Sequence, residues 1–214
     1  MAHTPARRLA HRPGLILALL TAVAAALTQS ACTPIGVGIG AGAAAGVVLA
    51  QERSAADAVK DARINLEISE ALFQAHIDDL YREVNVDVME GRVLLTGHVK
   101  SQALADEAAL IGWKVDGVAK VINEIRVGDI GTVGGVRDGW ITTRLRARLI
   151  GDAEIFDVNY AITTVGGSIY LLGIGQSQDE LERVLAHARD VPYVRRVVTH
   201  VVMKDDPSRP VAAE

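Results

Sequence analysis

Two stretches of this chain are versions of one another. Aligned 76 residues apart, Gly91 falls on Gly167 and Gly97 on Gly173. In the same register Val86 falls on Ile162, Val93 on Ile169, Leu95 on Leu171, Ser101 on Ser177, Val115 on Val191, Val118 on Val194, Val121 on Val197 and Ile125 on Val201. When glycines, a serine and the apolar positions all stay in step, one supersecondary unit has been built twice. The chain is therefore expected to form two small related modules rather than one large sheet.

Each unit reads in the same order. An opening helix shows apolar residues at i, i+4 and i+8: Ile64, Ile68 and Leu72 in the first copy, Ile141, Leu145 and Leu149 in the second. Two strands follow, NVDVM and RVLLTGHV, then YAITT and SIYLLGIG, joined by turns at Glu90-Gly91 and Gly166-Gly167. A second helix begins at Ser101 or Ser177, the latter forming a capping box with Glu180, and Asp116-Gly117 is expected to end the helix of the first copy. VINEIRV and VVTHVVM supply the closing strands. The expected fold is α+β, two tandem αββαβ modules, each burying one sheet face under two helices. The corresponding boundaries are 1–31 for an export signal, 32–55 for a tether, 56–127 and 137–204 for the modules, 128–136 for a linker and 205–214 for a tail.

The N-terminus reads as an address. Residues 1–13 carry Arg7, Arg8 and Arg12, residues 14–27 (GLILALLTAVAAAL) are apolar and uncharged, and TQSA leads to Cys32. That is the layout of a signal peptide, and the apolar run is shorter than the roughly 20 residues that span a membrane. Cys32 is the single cysteine of the chain, which excludes an internal disulfide. Behind Ser30 and Ala31 it resembles the lipobox of bacterial lipoproteins, with Gln29 where that motif prefers leucine. The resemblance implies an acylated Cys32, and Thr33 in place of aspartate implies the outer membrane as destination. The alternative is cleavage after Ala26, with Ala24 and Ala26 as the recognised small residues, leaving a soluble periplasmic protein. Residues 33–50, rich in Gly and Ala, read as a tether; the alternative is close helix packing through Gly38, Gly42 and Gly46.

Formal net charge is −4, and loss of the three arginines in residues 1–31, which hold no acid, takes it to −7. So acidic a chain is a poor candidate for binding nucleic acid, which requires clustered positive charge.

The strand motif GRVLLTG at 91–97, its partner GSIYLLG at 167–173 and the closure DGVAKVINEIRV at 116–127 resemble the BON domain, an envelope-associated module of bacteria. DGWITTRLRARL at 138–149 and the following ITTVGGSIYLLG resemble the second module of dual-BON outer-membrane lipoproteins. The resemblance implies an anchored protein that faces the periplasm and supports envelope integrity.

No catalytic constellation is expected. His76, His98, His187 and His200 fall in different elements without metal-ligand spacing, Asp78-Asp79 read as a solvated tip at the end of the first helix, and no G-x-S-x-G is present. No metal or cofactor is expected either. Gly91, Gly97, Gly167 and Gly173 read as structural, set at turns and close backbone approaches.

Differences between the copies are the better guide to function. Beside the apolar stripe of the second opening helix lie Trp140, Arg144 and Arg148, with Arg137 one turn earlier and Arg146 nearby; the first copy has Arg63, Glu67 and Ala71 instead. An indole at headgroup depth and guanidinium groups on phosphate suit a lipid interface. The resemblance implies that the second module binds an anionic phospholipid membrane here, with the tryptophan inserted. The alternative makes Trp140 a plug against the first module. Tyr160, Tyr170 and Trp113 are further aromatic candidates. Two other roles compete: a soluble periplasmic stress or chaperone-like protein, and a scaffold for an outer-membrane assembly or division complex.

Overall fold

A computed structural model describes residues 52–128, 131–207 and 209. The signal, Cys32 and the glycines of the tether lie outside the described residues. The first module runs α1 (Ala55–Ala75), a π-helical turn (Ile77–Tyr81), β1 (Val84–Met89), β2 (Arg92–Val99), α2 (Gln102–Trp113) and β3 (Lys120–Val127). The second runs α3 (Gly131–Ile150), a 3-10 turn (Asp157–Asn159), β4 (Tyr160–Val165), β5 (Ser168–Gly175), α4 (Gln178–Arg189) and β6 (Arg196–Met203). Each sheet has its second strand in the centre, antiparallel to the first and parallel to the third.

The apolar stripes anchor each module. Ile64, Ile68 and Leu72 on α1 are fully enclosed with Val93 and Leu95 of β2, and Ile141, Leu145 and Leu149 on α3 with Ile169 and Leu171 of β5. Each such side chain contributes about 1.5–3 kcal/mol. Serines start three of the helices: Ser54, Ser101 and Ser177 accept from the backbone N–H groups of Asp57, Leu104 and Glu180.

A buried carboxylate locks each opening helix to its hairpin. Asp61 accepts from the N–H groups of Glu90 and Gly91 at 2.8 and 2.9 Å, and Asp138 from those of Gly166 and Gly167 at 2.6 and 2.8 Å. Both turns need two successive left-handed residues, with φ of 53° and 68° in one and 58° and 76° in the other. Gly97 and Gly173 answer a different need. A Cβ on Gly97 would run into the backbone of Glu83, and one on Gly173 would lie 2.7 Å from the Asn159 carbonyl oxygen.

Four details depart from the sequence reading. Residues 131–136, expected within a linker, are wound into the first turns of α3. α2 ends at Trp113, and Gly117 instead supplies a left-handed residue (φ 90°) in the loop that leads to β3. The Glu180 carboxylate accepts from Gln176 and Phe156 rather than from the Ser177 N–H. Asp78 and Asp79 belong to the π turn, paired with Arg82 and Lys100. That turn has a cause: the opening helices align one residue further apart than the strands, so the first module holds one more residue between helix and β1. A π turn absorbs such an extra residue.

The sheets also bury their second faces, against each other. Met89, Leu94, Val165, Tyr170, Leu172 and Ile174 form a third core between them, so the layers run helices, sheet, sheet, helices. The Thr163 hydroxyl donates to Asp87 at 2.7 Å, and His200 Nε2 lies 3.0 Å from Glu124 Oε1. Each pair is 76 residues apart, so each joins the same position of the two modules. Contact between equivalents marks a local two-fold axis, the geometry of a symmetric dimer within one chain. Arg92 crosses the seam, donating to the carbonyl oxygens of Gly173 and His200 at 2.9 and 2.8 Å.

Candidate functional site

On α3 the core stripe occupies one side and leaves two flanks. Thr142 and Arg146 lie on the flank facing β4: Thr142 donates to Thr164 at 2.7 Å, and Arg146 favours the ionised form of Asp87. Arg137, Trp140, Arg144 and Arg148 lie on the other, because steps of three and four residues return to one side of a helix.

Trp140 is 44 % exposed, and its ring meets Tyr193 edge to face at 6.0 Å between centroids. It therefore packs within its own module, and the interdomain core described above does not include it. Arg137 places its guanidinium 5.2 Å from the centre of the Tyr193 ring, a cation–π contact. Arg144 is exposed and makes no ion pair or hydrogen bond among the described residues. Arg148 has other business. It pairs with Asp190 at 2.8 Å and donates to the His187 carbonyl oxygen at the end of α4.

Tyr193 is the residue the sequence reading missed. It is 66 % exposed and holds a left-handed backbone with φ of 70°. In the repeat register it stands where the first module has Gly117, also left-handed at 90°. A side chain in that conformation costs about 1–2 kcal/mol, and glycine avoids the cost. The second module thus bears strain to keep an aromatic ring beside Trp140 and Arg137. The signal was available in the repeat, as an aromatic aligned with a glycine that follows aspartate.

The other aromatics divide. Tyr160 and Tyr170 are buried, so neither adds surface, while Trp113 is 53 % exposed at the end of α2. Burial and the neighbouring Glu180 push the Tyr160 phenol far above its ordinary pKa. His187 and His200 meet single carboxylates, Asp152 and Glu124, and His76 meets Glu107. Among the described residues no three His, Cys, Asp or Glu side chains converge as a metal ion would need. None of their helices is long and apolar enough to cross a membrane.

A helix pair on each outer side, two three-stranded sheets back to back and an αββαβ order repeated about a local two-fold axis define a tandem-module α+β protein. Residues 60–129 and 137–205 each match the BON domain, and the chain belongs to that family. It is 40 % identical over 148 residues to a protein of Anaplasma centrale described as "Uncharacterized protein in gshII 5'region", covering 68 % of this chain and 96 % of that one. It is 31 % identical over 97 residues to the outer membrane lipoprotein DolP of Haemophilus influenzae, covering 44 % and 50 %. With the osmotically-inducible protein Y of Escherichia coli it shares 29 % identity over 140 residues, covering 64 % and 69 %.

Proposed function

We propose that this chain is a periplasm-facing outer-membrane lipoprotein, anchored through Cys32, whose second BON module binds anionic phospholipid through the Arg137–Trp140–Arg144 flank of α3 and Tyr193. The observation that carries the reading is the half-exposed Trp140–Tyr193 pair, ringed by cations, on an otherwise acidic protein. Its aromatic rings suit the headgroup region, and Arg137 and Arg144 suit lipid phosphates. Arg148, tied to Asp190, adds charge only at the margin. Similarity to an outer membrane lipoprotein supports the location, and the lipobox-like context of Cys32 supports the anchor.

The test is co-sedimentation of the full chain, with Cys32→Ser to remove the anchor, with vesicles of phosphatidylglycerol or phosphatidylcholine. Trp140→Glu is expected to weaken binding without lowering the melting temperature, because the core stripe of α3 is untouched. Arg137→Glu with Arg144→Glu is expected to remove the preference for the anionic vesicles, and added salt to imitate this in part, since exposed charges are screened within about 8 Å at physiological ionic strength. Equal binding by parent and variants would defeat the proposal.

A further inference from the structure

α1 is apolar on both sides. Opposite its core stripe, Val59 and Leu66 are each 67 % exposed and Phe73 is 49 % exposed. They lie seven residues apart in turn, with exposed Ala62 between the first two, so at about 100° per residue they form one line along the helix. The Phe73 ring is fixed edge to face against Tyr81 at 5.3 Å, extending the line onto the π turn. The matching positions of α3 are Val136, Gly139, Thr143 and Ile150, where glycine and threonine interrupt the line. The stripe is thus particular to the first module.

Charge beside the stripe is segregated. Lys60 and Arg63 border its N-terminal half, and Glu67 and Glu70 its C-terminal half on the same flank; within the module the exposed Arg63 already pairs with Glu67 and donates to the Asp116 carbonyl oxygen. The opposite flank, with Ala58, Asn65 and Ser69, carries no charge. When two helices pack antiparallel about a two-fold axis, the same flank of each meets. Centred on Leu66, such a pair sets Leu66 against Leu66, Val59 against Phe73 and Arg63 against Glu70, the last two contacts each made twice. A parallel pair would set the charged flank against the uncharged one.

We propose that α1 docks onto α1 of a second copy of this chain, antiparallel and centred on Leu66. A membrane is the poorer occupant of this face. Glu67 and Glu70 oppose anionic lipid, and the layer order places α1 on the far side of both sheets from α3. The area of one helix pair falls below that of standard stable interfaces, so the dimer is weak in solution and gains from confinement to a surface. The pairing does not rest on the lipid site: vesicle binding through Trp140 can fail while the dimer forms, and the reverse.

The experiment uses the full chain carrying Cys32→Ser, in mild detergent. With Leu66→Cys added, oxidation is expected to yield a disulfide-linked dimer, because residue 66 meets its own copy. Thr143→Cys, the matching position on α3, is expected to yield none. In sedimentation equilibrium Leu66→Glu should be monomeric with an unchanged melting temperature. Arg63→Glu and Glu70→Arg should each weaken the dimer about tenfold, and their combination should restore it, because each charge pair occurs twice. A parent that stays monomeric at concentrations on the order of 100 µM, the upper reach of a weak complex, would overturn the proposal. So would a combined variant no tighter than the single ones.

Discussion

Replacing Asp138 by alanine tests how the second module holds its opening helix. The Asp138 carboxylate accepts from Gly166 at 2.6 Å and Gly167 at 2.8 Å, and is itself 5 % exposed. Alanine leaves both donors without a partner. The Gly167 N–H is buried, so its loss costs about 1–3 kcal/mol, whereas the half-buried Gly166 N–H regains water and costs about 1 kcal/mol or less. The sum is about 1–4 kcal/mol. Asp138→Asn is expected to fall between, since the amide oxygen still accepts from one glycine while its NH₂ group faces the other donor. Urea unfolding followed by circular dichroism is the assay. With a slope of about 2 kcal/mol/M, the alanine variant should shift the midpoint down by about 0.5–2 M. Arg137 and Trp140 flank Asp138, so the same variant should loosen α3 around them and raise the exchange rate of the Gly166 and Gly167 amides. A midpoint within about 0.2 M of the parent would refute the clamp, because surface substitutions without such a role stay within about 0.5 kcal/mol.

Four further outcomes are expected. Gly97→Ala should destabilise the first module by more than about 2 kcal/mol in the same urea assay, as a Cβ there meets the Glu83 backbone at a φ of 146°. Leu172→Ala, at the centre of the sheet–sheet core, should cost about 2–5 kcal/mol and shift the unfolding of both modules together; separate transitions in calorimetry would show that the modules are energetically independent. Burial lifts the Asp87 carboxyl above its ordinary value of 3.8, with the Thr163 hydroxyl and Arg146 only partly opposing. A carboxyl that holds its proton better in the folded state loses stability as pH rises from the unfolded pKa through the folded one, so Asp87→Asn should flatten that decline and be no less stable than the parent at pH 7. Cys32→Ala should move the chain from the membrane pellet to the soluble fraction, whereas a mature N-terminus at Leu27, read by mass spectrometry, would defeat the anchor.

Much of the architecture was legible because each module buries a single helix stripe against a single sheet. Ile64, Ile68 and Leu72, repeated as Ile141, Leu145 and Leu149, leave one solution for the side that faces inward. The back-to-back docking was harder to read. Its signal lay in SIYLLGIG, a continuous apolar run that marks a strand enclosed on both faces, while the matching RVLLTGHV mixes in Thr96 and His98. Asp61 and Asp138 were invisible because their partners stand 28 to 30 residues away, and short-range patterns do not register a carboxylate that reaches across a module. The glycines of 131–135 read as part of a linker from propensity alone. The chain is nonetheless helical from Gly131 to Ile150, and Asp138 within that helix holds the 166–167 turn. Of the candidate site, Trp140, Arg137 and Arg144 share an exposed flank, and the task of Arg148 depends on Asp190, which a helical wheel of α3 does not contain.

The duplication also explains how one chain carries two different outer faces. A symmetric dimer of identical modules would present the same helix on both sides. Here the seam keeps its two-fold contacts, Asp87 with Thr163 and Glu124 with His200, but the residues have become complementary rather than identical: acid meets hydroxyl, and acid meets imidazole. Two copies of the first module would bring Asp87 against Asp87 and Glu124 against Glu124, a repulsion in a partly dry seam that disfavours that pairing. Two copies of the second would lose both carboxylates and the cross-seam bonds of Arg92. Each module is therefore the better partner for the other, and with that pairing secured the outer helices are free to diverge. α3 carries Trp140 and Arg144 where α1 has Arg63 and Glu67, and α1 carries Leu66 and Phe73 where α3 has Thr143 and Ile150. The two sides of the sandwich consequently differ in chemistry while sharing one fold.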